Sequence, residues 1–266
     1  MALVVPPALV ALTAFADNYI WLLHDGLRAV VVDPGDAAPV HSALDSLKLT
    51  LAGILVTHHH ADHVGGLVGL RARLQGPVYG PAGESIPGPC VPLNDGDSIN
   101  VMGLKFSVID VPGHTAGHIA YLQQAAAGTP LPAPLLFCGD TLFSAGCGRL
   151  FEGTPAQMAH SLARLSGLPP DTQVCCTHEY TLSNLKFAAA VEPINDAVVS
   201  HTRQCQALRS QNLPTLPSRI GLELKINPFL RCHQAAVVAA ARAHGAHSDD
   251  PVDVFAALRT WKNSYR

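Results

Sequence analysis

The sequence predicts an α/β fold followed by a helical region, and three observations support this. Short apolar runs rich in β-branched residues recur through the first two thirds of the chain, and each ends at glycine, proline or a polar residue, as buried strands do. Stretches with helical periodicity lie between these runs. After Tyr180 the strand runs stop and helical stretches follow. We therefore predict a catalytic domain over residues 1–179 and a helical domain over residues 180–266.

Five of the predicted strands end shortly before a side chain that can bind a metal ion. They are Ala29–Val32 before Asp33, Ile54–Val56 before His58, Phe106–Val111 before His114, Leu135–Cys138 before Asp140, and Val174–Thr177 before His178. Functional sites tend to be built from loops at the ends of elements on a rigid scaffold. We therefore expect these side chains to gather at one rim of a sheet.

The helix signals fall between and after these strands. One helix is predicted over Val64–Leu74, and another begins at Thr154, where a capping box precedes a proline, and stops at Gly167. Small residues and prolines over Ala125–Pro134 predict an exposed loop. The helices predicted for the C-terminal region are Asn184–Ala190, Asn195–Ser210, Gln234–His244, and a last one that begins at Asp250–Pro251 and runs to about Lys262.

Composition and charge favour a soluble enzyme. The 266 residues carry a formal net charge of −3, which gives no electrostatic footprint for nucleic acid, and no apolar run is long enough to span a bilayer. The apolar segment Met1–Leu23 lacks a basic start and is predicted to form the first strands. The seven cysteines form no CxxC pair, so we predict free thiols and a cytoplasmic location. We take a monomer as the default oligomeric state.

The segment Thr57–His63 contains four histidines and one aspartate within seven residues. Imidazole and carboxylate groups are ligands that Zn²⁺, Mn²⁺ and iron accept. His58 and His60 alternate along an extended backbone and can point the same way, whereas His59 is expected to face away. Asp62 and His63 follow where the chain turns and can face a second metal ion. This is more than one catalytic metal needs from a single loop, so the segment predicts two ions.

A binuclear hydrolase is the chemistry that this composition favours. One ion would take His58, His60 and His114, and the other would take Asp62, His63 and His178. Asp140 would bridge the two ions with its two carboxylate oxygens, although Gly-Asp-Thr is also a common turn. The ions would share a water and lower its pKa, so that a bridging hydroxide attacks without a serine or cysteine nucleophile. Asp62 and Asp140 are therefore the candidate catalytic residues, and His118 is expected to be a supporting or structural residue.

The motif His58-x-His60-x-Asp62-His63 resembles the signature of the metallo-β-lactamase superfamily. Within that superfamily the chain closely resembles the glyoxalase II, or hydroxyacylglutathione hydrolase, family over nearly its whole length. The Gly-Cys-Gly-Arg segment and the helical tail are the most discriminating parts of this resemblance. The matching segments are Asp17–Tyr19, Thr57–His63, Pro112–His118, Gly139–Phe143, Gly146–Arg149, Phe151–Thr154, His178–Tyr180, Asn227–Phe229 and Arg259–Lys262.

The resemblance implies a four-layer αββα sandwich followed by a small helical domain. It implies hydrolysis of S-(2-hydroxyacyl)glutathione, typically S-D-lactoylglutathione, to glutathione and D-lactate in methylglyoxal detoxification. It also implies two divalent metal ions per chain, zinc first and iron or manganese as alternatives. The implied metal ligands are His58, His60, Asp62, His63, His114, Asp140 and His178.

The resemblance further places the glutathione-binding residues at Arg149, Tyr180, Arg259 and Lys262. Arg259 and Lys262 are three residues apart and share a helical face, which suits a substrate that carries two carboxylates. A solvated helix end with cations favoured by the helix dipole is the alternative for these two residues. Phe151 departs from the family pattern, because some members carry a tyrosine there that touches glutathione.

Three other functions remain open at this point. A mononuclear iron persulfide dioxygenase shares the implied fold and also binds a glutathione derivative. A lactonase or β-lactamase would leave the glutathione-site residues without a role. A scaffold without catalytic activity should have lost metal ligands, and all seven are present.

Overall fold

Strands occupy much of the first half of the chain and helices much of the second half. The computed structural model describes residues 7–124, 131 and 133–265. The chain divides into two compact units, which we call unit 1 (Met1–Asp110 and Gly117–Gly139) and unit 2 (Val111–Ala116 and Asp140–Arg266). The two units are defined by contacts between residues and do not test the domain boundary predicted near residue 180, which stays a prediction. Among the described residues, no helix has both the length and the apolar character that a bilayer crossing requires.

The first sheet of unit 1 has six strands in chain order. The first two pairings are antiparallel and the later ones are parallel. Helix α1 (Ala37–Leu47) contributes Val40 and Leu44 to the apolar core of this sheet. The strands are β1 (Ala8–Ala14), β2 (Asn18–His24), β3 (Arg28–Val32), β4 (Thr50–Leu55), β5 (Val78–Pro81) and β6 (Val91–Leu93).

The second sheet region of unit 1 is an antiparallel run of four strands, each paired with the next. The Tyr121 hydroxyl donates a 2.9 Å hydrogen bond to the carbonyl of Val56, just beyond β4. This bond fixes the start of the histidine segment against the second sheet region. The strands are β7 (Ser98–Val101), β8 (Leu104–Asp110), β9 (Ile119–Gln123) and β10 (Leu135–Gly139).

Unit 2 contains short strands and most of the helices. Two short strands, β11 (Leu142–Phe143) and β12 (Gly146–Cys147), form a hairpin, and β13 (Gln173–Cys176) pairs with β14 (Ser218–Arg219). The helices of unit 2 are α4 (Pro155–Ser166), α5 (Thr181–Val191), α6 (Asp196–Arg209), α7 (Ile220–Ile226), α8 (Ala235–Ala243) and α9 (Pro251–Ser264). The mixed α/β composition with a helical C-terminal region is therefore confirmed.

The continuous helix predicted over Val64–Leu74 is wrong. The segment instead forms α2 (Ala61–Val64), α3 (Leu67–Leu70) and a 3₁₀ turn at Arg71–Arg73. The break falls at two glycines that approach another backbone segment. The Gly66 N–H donates to the Pro34 carbonyl, and a Cβ on Gly65 would lie 2.6 Å from the Gly35 carbonyl oxygen. Close backbone approach therefore requires glycine here and ends the helix.

The other helix signals are confirmed. Thr154 and Gln157 form the reciprocal capping box, and α4 ends at Ser166 with Gly167 as its C-terminal cap. The Asp250 carboxylate accepts from the backbone N–H groups of Val252 and Asp253, which begins α9. Helix α7 was not predicted from the sequence. Most of the loop predicted at Ala125–Pro134 lies outside the described residues.

Candidate metal centre and substrate pocket

Asp33 fixes the start of the histidine segment in unit 1. Its carboxylate follows β3 and accepts hydrogen bonds from the Thr57 backbone N–H at 2.8 Å and from the Thr57 hydroxyl at 2.7 Å. Strands β3 and β4 are parallel neighbours, so the two loops that follow them emerge side by side. Both residues are buried. The loop that carries the histidines therefore leaves the sheet in a fixed direction.

His58 and His60 bring ring nitrogens together at the end of β4. The His58 Nε2 and His60 Nδ1 atoms are 3.1 Å apart, and the His58 Nδ1 atom lies 3.1 Å from the Thr57 hydroxyl. His58 is fully buried and His60 is partly exposed. The His118 ring stacks on the His58 ring, with 4.6 Å between ring centres. These two ring nitrogens are therefore close enough to act as ligands of one metal ion, and the His118 ring packs against His58.

Asp62 and His63 belong to α2, the short helix that follows. The Asp62 carboxylate accepts a 3.0 Å hydrogen bond from the Asn18 side chain and lies 3.5 Å from His63 Nε2. The other ring nitrogen of His63 lies 3.2 Å from the Asp33 carboxylate. A carboxylate against one imidazole nitrogen fixes the ring orientation of a metal-ligating histidine. The Asp33 carboxylate therefore lies beside both Thr57 and the His63 ring.

His59 turns to a different partner from its neighbours. The Glu84 carboxylate accepts from the His59 backbone N–H at 2.6 Å and lies 2.9 Å from its Nδ1 atom. The other oxygen of Glu84 accepts from the Gly117 backbone N–H at 3.1 Å. His59 therefore has a structural partner in unit 1.

In unit 2, one oxygen of Asp140 lies between two imidazole rings. The Asp140 Oδ2 atom is 3.4 Å from His114 Nε2 and 3.5 Å from His178 Nε2. The second oxygen of Asp140 accepts a 2.6 Å hydrogen bond from the Thr177 hydroxyl. His114 Nδ1 lies 2.9 Å from the Arg149 carbonyl, which can only accept, so Nδ1 carries a proton, and in the neutral ring Nε2 is the nitrogen with the free lone pair.

These donors fit a divalent metal ion of the first transition series. Neutral imidazole and carboxylate suit zinc, iron and manganese. The described residues include groups of histidine and carboxylate ligands that could hold an ion, and all seven predicted ligands belong to such groups. His58, His60, Asp62 and His63 lie in unit 1, and His114, Asp140 and His178 lie in unit 2.

A cavity of about 500 Å³ lies within unit 2. Its lining includes two of the predicted metal ligands, His114 and Asp140, together with all four predicted substrate-binding residues. Phe151, which departs from the family pattern, also lines the cavity. The residues that line the cavity are His114, Asp140, Phe143, Cys147, Arg149, Phe151, Tyr180, Ser183, Asn184, Arg259, Lys262, Asn263 and Tyr265.

The cavity is cationic. Burial lowers the pKa of Lys262, and the positive charges of Arg259 and Arg149 lower it further. The Lys262 ammonium donates to the Ser183 hydroxyl and carbonyl at 3.3 Å. Three cations in one cavity attract a ligand that carries carboxylates.

Arg259 is 6% exposed, so the solvated helix end considered as its alternative does not describe it. Its Nη1 atom donates to the Cys147 carbonyl at 2.8 Å, and its guanidinium carbon lies 5.2 Å from the centre of the Phe229 ring. Its Nε atom is buried and has no hydrogen-bond partner among the residues that the structure describes. Arg259 thus supports the backbone of the Gly-Cys-Gly-Arg segment from the wall of the cavity.

Several residues of the site were not predicted. Ser183 and Asn263 lie about one helical turn from Tyr180 and Arg259, and that spacing is the signal that could have found them. Tyr265 lies just beyond the end of α9 and also lines the cavity. The roles of Asn18, Glu84 and Thr177 depend on partners that are distant in sequence. Local patterns give no sign of those partners.

Comparison with known families identifies the chain. Residues 15–178 match the metallo-beta-lactamase superfamily, and residues 179–265 match the family described as hydroxyacylglutathione hydrolase C-terminus. The hydroxyacylglutathione hydrolase of Albidiferax ferrireducens is 59% identical over 257 residues, covering 97% of this chain and 99% of that protein. The chain belongs to the hydroxyacylglutathione hydrolase family. This membership confirms the predicted family and the metallo-β-lactamase fold.

Other relatives agree with this membership. A hydroxyacylglutathione hydrolase of Pseudomonas aeruginosa (strain LESB58) is 54% identical over 259 residues, covering 96% of this chain and 98% of that protein. The crystal structure of TTHA1623 in a di-iron-bound form is 27% identical, with a TM-score of 0.58, and covers 83% of this chain and 100% of that one. ETHE1 from Myxococcus xanthus, at 24% identity and a TM-score of 0.63 over 96% of this chain and 97% of that one, shares the fold.

Proposed function

We propose that this member of the hydroxyacylglutathione hydrolase family cleaves the thioester of S-(2-hydroxyacyl)glutathione, S-D-lactoylglutathione foremost, to glutathione and D-lactate. Family membership confirms the predicted enzyme class. The observation that carries the proposal is that one cavity of unit 2 is lined by His114 and Asp140 and also by three cations. A substrate with a reactive carbonyl near one end and carboxylates toward the other matches that distribution.

We also propose that two divalent ions are bound, zinc foremost, with iron or manganese as the alternatives. His58, His60 and His114 would hold one ion, and Asp62, His63 and His178 would hold the other, with Asp140 between them. The di-iron-bound form of a 27% identical relative supports a capacity for two ions. When bound, such ions polarise a thioester carbonyl and lower the pKa of a water molecule.

The protein residues orient these groups and bind the charged part of the substrate. Thr177 holds one Asp140 oxygen and so directs the other between two imidazoles, and the Arg149 carbonyl keeps the His114 ring in one tautomer. We assign the glutathione carboxylates to the cations of the cavity. Tyr180 stacks on the His178 ring, with 4.6 Å between ring centres, and forms part of the wall beside it. The helical domain over residues 180–266 would therefore supply much of the glutathione site.

The decisive experiment is to assay the purified protein with S-D-lactoylglutathione before and after complete removal of metal, with metal content measured in parallel. We expect thioester cleavage that disappears with the metal and returns when zinc is added. Activity that survives complete metal removal would overturn the proposal. Oxygen consumption with glutathione persulfide, in place of thioester cleavage, would favour the dioxygenase alternative.

Loss of the Thr177 hydroxyl should lower turnover without changing the shape of the side chain. We expect Thr177→Val to reduce kcat about tenfold, because groups that orient a metal ligand typically contribute ten- to a hundredfold. Thr172→Val is a matched control, since Thr172 is also buried in unit 2 and its hydroxyl has no hydrogen-bond partner among the described residues. Equal kcat values for the two variants would contradict an orienting role for Thr177.

The affinity for the substrate should fall as the pH rises, and the fall should begin at a lower pH than it would if Lys262 had the usual pKa of a lysine. Burial and the neighbouring guanidinium groups lower the pKa of Lys262. As pH rises through that lowered pKa, the side chain loses its proton and no longer attracts a carboxylate, so KM rises. KM should be measured between about pH 7 and about pH 10. In Lys262→Arg the guanidinium stays charged over this range, so the alkaline rise should disappear, and a rise of unchanged size would argue against Lys262.

We further propose that the enzyme works as a monomer in the cytoplasm, without membrane or nucleic-acid partners. The seven cysteines all lie in the described part of the chain and are free thiols, which suits a reducing compartment. Size-exclusion chromatography with light scattering tests the oligomeric state, and a stable dimer would correct it.

A further inference from the structure

We propose that Glu223 and Asn227 are positioning residues that hold the turn between β11 and β12 in the shape the glutathione part of the substrate requires. The inference rests on the proposed function, because it concerns the cavity assigned to that substrate. Neither residue lines the cavity, and both are fully buried. They act through Phe143 and Cys147, which flank the turn and line the cavity.

The turn has a conformation that its own sequence disfavours. Phe143 pairs with Gly146, and Ser144 and Ala145 lie between them. Ala145 has φ of 55°, in the left-handed region, where glycine is the usual residue. A non-glycine residue stays in this region only when its surroundings fix it. Contacts from outside the hairpin must therefore hold this turn.

Glu223 and Asn227 provide those contacts. The Glu223 carboxylate accepts a 2.7 Å hydrogen bond from the Ala145 backbone N–H. The Asn227 amide donates to the carbonyls of Phe143 at 3.2 Å and Gly146 at 2.9 Å, and also to Glu223 at 3.1 Å. Backbone groups on both sides of the left-handed residue are thus bound by two linked side chains. Glu223 is one turn before Asn227, so both are fixed by α7 and its end.

Two further side chains complete the arrangement. Asn184 donates to the Ser144 carbonyl at 3.0 Å, and the Ser218 hydroxyl donates to the other oxygen of Glu223. Burial raises the pKa of Glu223, and the hydrogen bonds from Ser218, the Ala145 N–H and Asn227 oppose that effect. Burying a carboxyl group is unfavourable unless it is hydrogen-bonded, and an apolar residue would pack here more easily. An apolar residue could not bind the Ala145 N–H, which explains why a carboxyl group is placed here.

The turn connects this buried network to the cavity. Phe143 lines the cavity and packs edge-on against the Tyr180 ring, with 5.3 Å between ring centres. Cys147 also lines it, and its carbonyl accepts from Arg259. A displaced turn would therefore move Phe143 and the support of Arg259 together. Both lie in the cavity assigned to glutathione.

The test compares two substrates that differ only in the thiol. One is S-D-lactoylglutathione, and the other is the lactoyl thioester of N-acetylcysteamine, which lacks the two carboxylates. For Glu223→Gln and for Asn227→Leu, we expect the ratio of kcat/KM for the first substrate to that for the second to fall about tenfold. Partial unfolding lowers both rates alike and leaves the ratio unchanged, so the ratio separates positioning from simple loss of stability.

Glu192→Gln is the matched control. Glu192 is a second buried glutamate of unit 2, but its partners are Arg231 and Asn195, which do not line the cavity. We expect the wild-type ratio for this variant and a wild-type metal content for all three variants. Unchanged ratios in Glu223→Gln and Asn227→Leu, with an active wild type, would overturn this inference alone. A wild type that cleaves neither thioester would overturn the proposed function and this inference with it.

Discussion

Asp140→Ala should reduce kcat for S-D-lactoylglutathione by about a thousandfold, the upper end of what one buried electrostatic group contributes to catalysis. One Asp140 oxygen lies 3.4 Å and 3.5 Å from the Nε2 atoms of His114 and His178. Removing the carboxylate takes away the anion that these two rings share and the one proposed ligand common to both ions. Metal analysis of the purified variant should show fewer ions per chain than the wild type.

The control for this variant is Asp171→Ala, which removes an exposed aspartate of the same unit. It should keep both its metal content and its rate. Asp140→Asn retains the shape and one acceptor but removes the charge, and it should resemble Asp140→Ala in metal content. A variant of Asp140 with full metal content and full turnover would refute the bridging role.

Arg259→Ala should raise KM for the glutathione thioester roughly 10- to 100-fold and change kcat much less. A hydrogen bond to a charged group contributes about 1.5–3 kcal/mol, and about 1.4 kcal/mol corresponds to a tenfold change in affinity. Arg259 contributes in two ways, because its Nη1 atom supports the Cys147 carbonyl and its positive charge lies in the lining of the cavity. When a substitution weakens the binding of the substrate and of the transition state equally, KM rises and kcat is unchanged.

Arg259→Lys should restore only part of the affinity, since an ammonium cannot reproduce the planar set of donors. Arg242→Ala, which removes a half-exposed arginine on α8, serves as the control and should keep the wild-type KM. Thermal unfolding should be followed in parallel, because the lost bond to Cys147 also lowers stability. An unchanged KM in a folded Arg259→Ala protein would remove Arg259 from the proposed binding site.

The sequence predicted those features that depend on neighbours along the chain. The capping box at Thr154 and the cap at Asp250 use partners two or three residues away, so their patterns are local. The histidine segment was recognisable for the same reason, since four of the proposed ligands lie within six residues.

Features that depend on distant partners could not be predicted. The break at Gly65 and Gly66 is required by backbone contacts with Pro34 and Gly35, which no helical periodicity shows. Helix α7 is seven residues long and has no side-chain cap, so its sequence lacks a start signal. The burial of Arg259 also had no local signal, because helical spacing shows that it shares a face with Lys262 but not what covers that face.

The course of the chain through its two units constrains how this enzyme can be recombined. The backbone passes from one unit to the other after residues 110, 116 and 139, so no single cut separates them. A hybrid of two relatives joined near residue 180 would take Ala145 from one parent and Glu223 from the other. The hydrogen bond between them would then form only if the turn from one parent fits the carboxylate from the other. Gene shuffling at this junction should therefore succeed mainly between close homologues.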